Sequence, residues 1–148
     1  MRLDYDCIRD TMLWVENQTT PTKHAIYLDT DLVARTSFVY LKESDIPTPN
    51  DNQFLLTQKY TNEKLVYHFN YCIEAGLLKR FNAGDNTFVE ISDLTPAGHE
   101  FLSNIRNDNV FTGVKDVAKK LGITSLESFT QIASLTALQL IKAQFGLV

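Results

Sequence analysis

The 148-residue sequence has few cysteines and no excess of positive charge. Its two cysteines, Cys7 and Cys72, lie far apart and match no Cys-x-x-Cys spacing, which argues against a zinc site and against a redox pair. We predict two buried free thiols in a reducing cytosol, with no disulfide and no metal. The formal net charge of −4 at pH 7 excludes a surface that is basic throughout, although a local basic patch can still exist.

The sequence also lacks long apolar segments. No uninterrupted apolar run approaches the ~18 residues that a membrane-spanning helix needs. Asp4 and Asp6 stand where a signal peptide requires a basic stretch followed by an apolar one. We therefore expect a cytoplasmic protein that does not associate with membranes.

Candidate catalytic groups are scarce as well. The histidines show no metal-site spacing, and both cysteines sit within apolar faces. We predict no catalytic residues, no cofactor and a function other than that of an enzyme. We expect His99 to be a packed core histidine and His68 to be partly buried. We interpret the acidic cluster of Asp4, Asp6 and Asp10 as a solvated helix face, in preference to a cation site.

The clearest positive signal in the sequence is the helical periodicity of its apolar residues. Apolar residues recur at three- and four-residue steps in several segments that begin with a capping residue or end at glycine or proline. The helices predicted in this way are Asp4 to Asn17, Thr61 or Asn62 to Ala75, Pro96 to Asn107, Val110 to Leu121, and Ser125 to Phe145. The run from Phe54 to Tyr60 is ambiguous, and we favour an irregular or helical lead-in.

Strand predictions are firm only in the middle of the chain. Leu78 to Asn82 and Thr87 to Ser92 are β-prone and flank a short polar turn, Ala83 to Asn86, which predicts a hairpin. For the segment from Thr22 to Gln53 two predictions stay open: two short strands, or one strand and a short helix. Its β-prone runs are Ala25 to Leu28 and Phe38 to Leu41, and its loop is Pro47 to Asn52.

The order of these elements is typical of a winged helix-turn-helix. Glu74-Ala75-Gly76-Leu77-Leu78 ends one helix, the hairpin follows as the wing, and Leu94-Thr95-Pro96-Ala97-Gly98 opens the next helix. This pair of segments resembles the recognition-helix-to-wing part of bacterial winged-helix regulators. We predict a mostly helical α+β fold with a winged-helix domain over residues 1–108 and a C-terminal helical pair over 109–148 that completes the core or dimerises.

Two longer stretches carry a family resemblance. The opening from Arg2 to Asp10 (RLDYDCIRD) and the block from Ile91 to Arg106 (ISDLTPAGHEFLSNIR) look like an uncharacterised domain family found in phages and prophages of Gram-positive bacteria. The resemblance extends to Lys119-Lys120-Leu121 and to Ser125-Leu126, and it is weakest from Thr22 to Gln53. It implies a small phage accessory protein of unknown function, and so an origin and a fold more than an activity.

The predicted winged helix implies a DNA-reading surface. The exposed face of the helix that begins near Thr61 would enter the major groove, with Asn70 as the base reader. The side chains predicted to lie near base edges are Lys64, Tyr67, Asn70 and Tyr71. Those predicted to contact phosphates are Lys59, Lys79 and Arg80. The primary expectation is therefore a DNA-binding transcriptional regulator.

The same surface also fits a protein partner. A recognition face that is rich in tyrosine and nearly neutral is typical of protein-binding modules, because aromatic side chains anchor protein interfaces while phosphate binding needs several cations. The alternative function is a phage accessory factor that inhibits or modulates a host protein, such as a repressor or a defence nuclease.

The last helix has little charge. Between Ser125 and Phe145 only Glu127 and Lys142 are charged, and apolar residues wrap more than one face. The residues predicted to face inward are Leu126, Phe129, Ile132, Ala133, Leu140 and Ile141. Two roles stay open for this helix, namely packing within the monomer and forming a homodimer interface.

Overall fold

The computed structural model describes residues 1–29, 52–81 and 88–146. These ranges contain α1 (Tyr5–Gln18), β1 (Ala25–Leu28), α2 (Gln53–Thr57), α3 (Asn62–Glu74), β2 (Leu78–Arg80), β3 (Phe88–Leu94), α4 (Pro96–Ile105), α5 (Asp108–Leu121) and α6 (Leu126–Gln144). The predicted mostly helical α+β fold is confirmed. The predicted strand at 38–41, the hairpin turn at 83–86 and nearly all of the loop at 47–52 lie outside the described residues.

Within these ranges the three strands form one antiparallel sheet in the order β1-β3-β2. β3 is central, with Ala25 of β1 opposite Ile91 and Leu78 of β2 opposite Leu94. Of the two β-prone runs in the poorly predicted segment, the one at Ala25–Leu28 thus forms a strand. Its pairing joins the first third of the chain to the hairpin, so that the sheet closes one side of the core.

Local capping sets the ends of the helices as expected. The side chains of Asp4, Thr61 and Thr95 accept hydrogen bonds from the first amides of α1, α3 and α4. Gly122 ends α5 in the left-handed conformation, with φ of 67°. α4 ends at Ile105, two residues earlier than predicted, because the Asn107 side chain caps α5 instead.

The two segments that predicted the winged helix bind each other directly. The Thr95 hydroxyl donates to the carbonyl oxygen of Gly76 at 2.6 Å, and the Thr95 amide donates to that of Leu77 at 3.0 Å. Gly76 has φ of 78°, which favours glycine, and a Cβ at Gly98 would lie 2.0 Å from the Leu77 oxygen. Both glycines are therefore required where the end of α3 meets the start of α4.

Aromatic side chains from α1, β1 and α3 fill the centre of the core. The Phe69 ring lies 5.7 Å from the Trp14 ring and 5.2 Å from the Tyr27 ring. Cys7 and Cys72 are buried free thiols, as predicted, and burial raises the pKa of each to about 12. Neither thiol is therefore activated as a nucleophile.

The N-terminal half of α6 belongs to the same core. Phe129 stacks on Tyr5 with ring centroids 3.8 Å apart and meets the edges of Phe101 and Phe111. Residues on both sides of position 108 therefore share one hydrophobic cluster. The division of the chain at that position stays a prediction.

None of the helices in the described ranges combines the length and the apolar character needed to cross a membrane.

Three residues that we predicted to be buried are exposed: Leu140, Ile141 and His99. Leu140 and Ile141 are exposed, whereas Leu126, Phe129, Ile132 and Ala133 are buried as predicted. Ile141 is rotated by roughly 120° from Phe129 around the helix axis, and Leu140 borders an open groove beside Val110 and Gly113. The His99 side chain is 53% exposed, because Gly98 and not His99 occupies the face of α4 that contacts Leu77.

Candidate functional site

α3 is the helix predicted to contact a partner. Its inner face buries Leu65, His68, Phe69 and Cys72. The opposite face carries Glu63, Tyr67, Asn70 and Glu74, at the i, i+4, i+7 and i+11 spacing of a single helix surface. The two glutamates are exposed, and Tyr67 and Asn70 are half-buried. We call these four residues the outer face of α3.

Lys64, predicted to lie near base edges, is ion-paired within the molecule. Its Nζ lies 2.5 Å from a carboxylate oxygen of Asp4 and 5.6 Å from the centre of the Tyr60 ring. The hydrogen bond to Asp4 raises the pKa of Lys64. Burial alone would raise the pKa of Asp4, but the hydrogen bonds from Lys64 and from the Cys7 amide hold it below its ordinary value. Asp4, in the N-terminal segment, therefore neutralises the charge of Lys64.

Lys59 is paired in a similar way. Its Nζ lies 3.2 Å from a carboxylate oxygen of Asp10, which also accepts a 2.8 Å hydrogen bond from the Tyr60 hydroxyl. Burial, followed by the nearby Asp10 carboxylate, raises the pKa of Tyr60. Asp6 pairs with Lys115 at 2.9 Å. The acidic cluster of α1 is therefore ion-paired, and two of its three carboxylates bind cations that we predicted to contact DNA.

The N-terminal segment lies along α3. His68 is completely buried, not partly as predicted, and its Nε2 accepts a 2.9 Å hydrogen bond from the Asp4 amide. Its Nδ1 lies 2.7 Å from the Lys64 carbonyl oxygen, to which it donates, so the ring is neutral with its proton on Nδ1. Burial lowers the pKa of His68. The Tyr67 hydroxyl donates to the Met1 carbonyl oxygen at 3.2 Å.

Tyr71 extends this aromatic surface toward the core. Its ring lies 6.1 Å from that of Tyr67, and its side chain packs partly against the hydrophobic cluster. Asn70 is half-buried on the outer face of α3. The structure thus brings Tyr67, Asn70 and Tyr71 together on one stretch of α3.

Lys79 and Arg80 lie apart from the other candidate cations. Both are exposed on β2, opposite Asp93 and Ile91 of β3. Among residues 1–29, 52–81 and 88–146, no carboxylate is ion-paired with either of them. Lys59 precedes α3, whereas Lys79 and Arg80 follow it on β2. They therefore lie at opposite ends of a 13-residue helix, which is about 20 Å long.

Comparison with known families places the chain in an uncharacterised family. A family model described as "Hypothetical protein (DUF2513)" matches residues 2–124. The chain belongs to the DUF2513 family. Membership of an uncharacterised domain family, which the opening and the later block predicted, is thereby confirmed. No curated protein matches the chain, and no solved structure matches it either.

The DUF2513 match covers α1 to α5 and ends just before α6. The outer face of α3 and the cations of β2 therefore belong to the family region, whereas the last helix lies outside it.

Sequence reasoning noted Glu63 and Glu74 on or beside this helix but did not count them among the binding residues. Their i, i+11 spacing with Tyr67 and Asn70 was readable from the sequence and placed all four on one surface. The internal pairing of Lys59 and Lys64 was not readable, since their partners lie 49 and 60 residues away along the chain.

Proposed function

We propose that this member of the DUF2513 family is a non-enzymatic binding protein built on a winged helix. The described elements follow the order α1-β1-α2-α3-β2-β3, and β3 pairs with both β1 and β2. This arrangement supports the winged-helix assignment, with α2 and α3 as the helix-turn-helix pair and β2–β3 as the wing. The resemblance to phage and prophage proteins supports a phage accessory role inside a bacterial host cell.

We propose further that α3 binds a protein and not the DNA major groove. One observation carries this proposal: the outer face of α3 presents Glu63 and Glu74, while Lys64 is already paired with Asp4. A helix seated in the major groove lies between two rows of phosphates, which repel exposed carboxylates. A protein surface imposes no such penalty.

The remaining groups of this surface suit a protein interface. Tyr67 and Tyr71 supply aromatic contact area of the kind that dominates binding energy in protein complexes, and Asn70 supplies a polar contact between them. The partner that fits is a host protein, such as a repressor or a defence nuclease, whose activity this chain would inhibit or modulate.

DNA binding through the wing is the second candidate. Lys79 and Arg80 favour it, because they are exposed and their charges are not paired within the described ranges. Two cations give a weak phosphate contact by themselves. In this alternative the chain is a DNA-binding transcriptional regulator that contacts the backbone through β2.

A pull-down from a Gram-positive bacterial lysate, with and without nuclease, separates the two candidates. We expect a stoichiometric protein that resists nuclease and that the double variant Tyr67→Ala, Asn70→Ala no longer retains. The matched control, Lys79→Gln with Arg80→Gln, should retain it. Affinity should change little with ionic strength, whereas phosphate contacts would make it fall steeply.

The opposite pattern would favour the regulator. A discrete DNA segment that nuclease removes, and that the β2 variant loses, would replace the protein-binding proposal. Full binding by both double variants would show that neither surface contacts the partner. Thermal unfolding followed by circular dichroism confirms that each variant is folded before it is compared.

A further inference from the structure

The C-terminal half of α6 exposes a row of large apolar side chains. Leu135, Leu138, Ile141 and Phe145 follow one another at three- and four-residue steps and so share one side of the helix. Each is between 46% and 72% exposed. We call these four residues the outer stripe. Phe129 and the other buried residues of α6 lie on a different side, so packing among residues 1–29, 52–81 and 88–146 does not cover the outer stripe.

A groove lies next to the N-terminal half of the same helix. One wall combines apolar residues with Glu100, and the other is formed by α6. The first wall includes Ala75, Leu77, Ala97, Glu100 and Phe101, and the second includes Glu127, Gln131 and Ser134. Its volume is about 480 Å³. Gln131 and Ser134 point to the same side of α6 as the outer stripe. The groove, which we call the α4–α6 groove, is therefore continuous with that stripe.

The two charges of α6 lie at opposite ends of this surface. Glu127 is in the first turn and Lys142 is in the last. Their separation of 15 residues rotates one from the other by only about 60° and places them about 22 Å apart along the axis. Two copies of α6 that run antiparallel bring Glu127 of each copy toward Lys142 of the other, whereas parallel copies bring like charges together.

We propose that the outer stripe and the α4–α6 groove bind a second copy of this chain. The two α6 helices run antiparallel about a twofold axis near Leu135 and Leu138, which pack against their counterparts. Ile141 and Phe145 of each copy extend toward the α4–α6 groove of the other. The surface is thus self-complementary in shape and in charge, as a twofold interface requires.

The size of the surface agrees with a dimer. Four large apolar side chains and one groove from each copy give a buried area on the order of the ~1,000 Å² that a specific interface needs. Between Ser128 and Ile141 no residue of α6 is charged, so the contact between the two α6 helices buries no unpaired charge. This inference does not depend on the proposed function, because it uses none of the four residues of the outer face of α3.

Analytical ultracentrifugation of the full chain tests the proposal through a charge swap. The single variants Glu127→Lys and Lys142→Glu each place like charges opposite one another, and we expect the dimer dissociation constant to rise ~10-fold. The double variant E127K/K142E restores opposite charges and should return to within ~3-fold of the wild type. Asp116→Lys, a charge reversal at an exposed position of α5, is the matched control and should leave the constant unchanged.

The double variant also separates association from folding. Both swaps oppose the helix dipole, so they destabilise α6 whether or not it dimerises. Restoration by the second swap therefore cannot come from helix stability. Leu138→Ser should abolish the dimer while thermal unfolding shows that the chain remains folded. A chain that is monomeric at every concentration overturns the proposal, and so does a dimer that tolerates Leu138→Ser and both single swaps.

Discussion

α3 and α6 each bury one face in the same hydrophobic cluster, but they differ in what happens to the other face. The N-terminal segment lies along α3: Asp4 pairs with Lys64, Met1 accepts a hydrogen bond from Tyr67, and His68 is buried beneath them. The outer stripe of α6 has no cover of this kind in the described part of the monomer. The N-terminal segment therefore neutralises the cation of α3 and leaves its outer face exposed, whereas the exposed side of α6 is apolar and unpaired in the described part of the chain.

The comparison shows that exposure on a helical wheel is a poor guide to available binding groups. Lys64 sits at a solvent-side position of α3, yet its charge is neutralised by Asp4, 60 residues away in sequence. Leu138 lies on the side of α6 opposite its buried residues and, among the described residues, has no such long-range partner. A binding surface is what remains after internal pairing is complete.

Truncating one apolar side chain in each helix gives the largest expected contrast. Phe69→Ala removes a fully buried ring and should lower the free energy of unfolding by about 3–5 kcal/mol. Leu138→Ala removes a half-exposed side chain and should change it by less than about 0.5 kcal/mol. Denaturant unfolding at low protein concentration measures both, because dilution removes any contribution from dimerisation. Similar losses for the two variants would mean that α6 is covered within the monomer.

His68 should make the α3 region sensitive to pH. Its pKa is lowered in the folded protein, so below the unfolded value of about 6.5 the unfolded chain takes up a proton that the folded chain does not. Its stabilising contribution is complete above that pH and is lost as pH falls, by up to about 1.4 kcal/mol per pH unit. The free energy of unfolding should therefore be lower at pH 5.5 than at pH 7.

The His68→Gln variant removes this titration, and its stability should change less between the two pH values. His99→Gln, at a side chain that is 53% exposed, is the matched control for replacing a histidine by glutamine. If the free energy of unfolding of the wild type and of His68→Gln depends on pH in the same way, the buried ring takes up its proton as readily in the folded state as in the unfolded state.

The smallest expected effect concerns the ion pair between Asp4 and Lys64. Asp4→Asn keeps a side-chain oxygen that can cap α1 but removes the charge that pairs with Lys64. Because the pair is about one-third exposed, we expect a loss of ~0.5–1 kcal/mol in unfolding free energy. Asp6→Asn breaks the more exposed pair with Lys115 and should cost less. Equal costs for the two variants would argue that the N-terminal segment is not held specifically on α3.

Features controlled by near neighbours in the chain were predictable. The caps at Asp4, Thr61 and Thr95 and the left-handed Gly76 and Gly122 follow from residues that bind amides within one turn. The two segments that predicted a winged helix also lie where Thr95 contacts Gly76, although the hydrogen bond itself could not be inferred.

Features controlled by distant residues were not predictable. His99 was expected inside and lies outside, because the position of α4 against Leu77 selects Gly98 for the close contact. His68 is buried more deeply than its pattern indicated, because the backbone of Asp4 supplies the hydrogen bond that a buried imidazole needs. Neither partner lies within ten residues of the histidine in question.

The sequence by itself determined the longer helices, the capping residues, the hairpin strands and the inner faces apart from the C-terminal half of α6, since hydrophobic periodicity and local hydrogen bonds act over a few residues. Only the tertiary structure decided which cations are neutralised, how deeply His68 is buried and which side of α6 is left uncovered. These outcomes depend on contacts between segments far apart in the chain, and their geometry exists only once the core has packed.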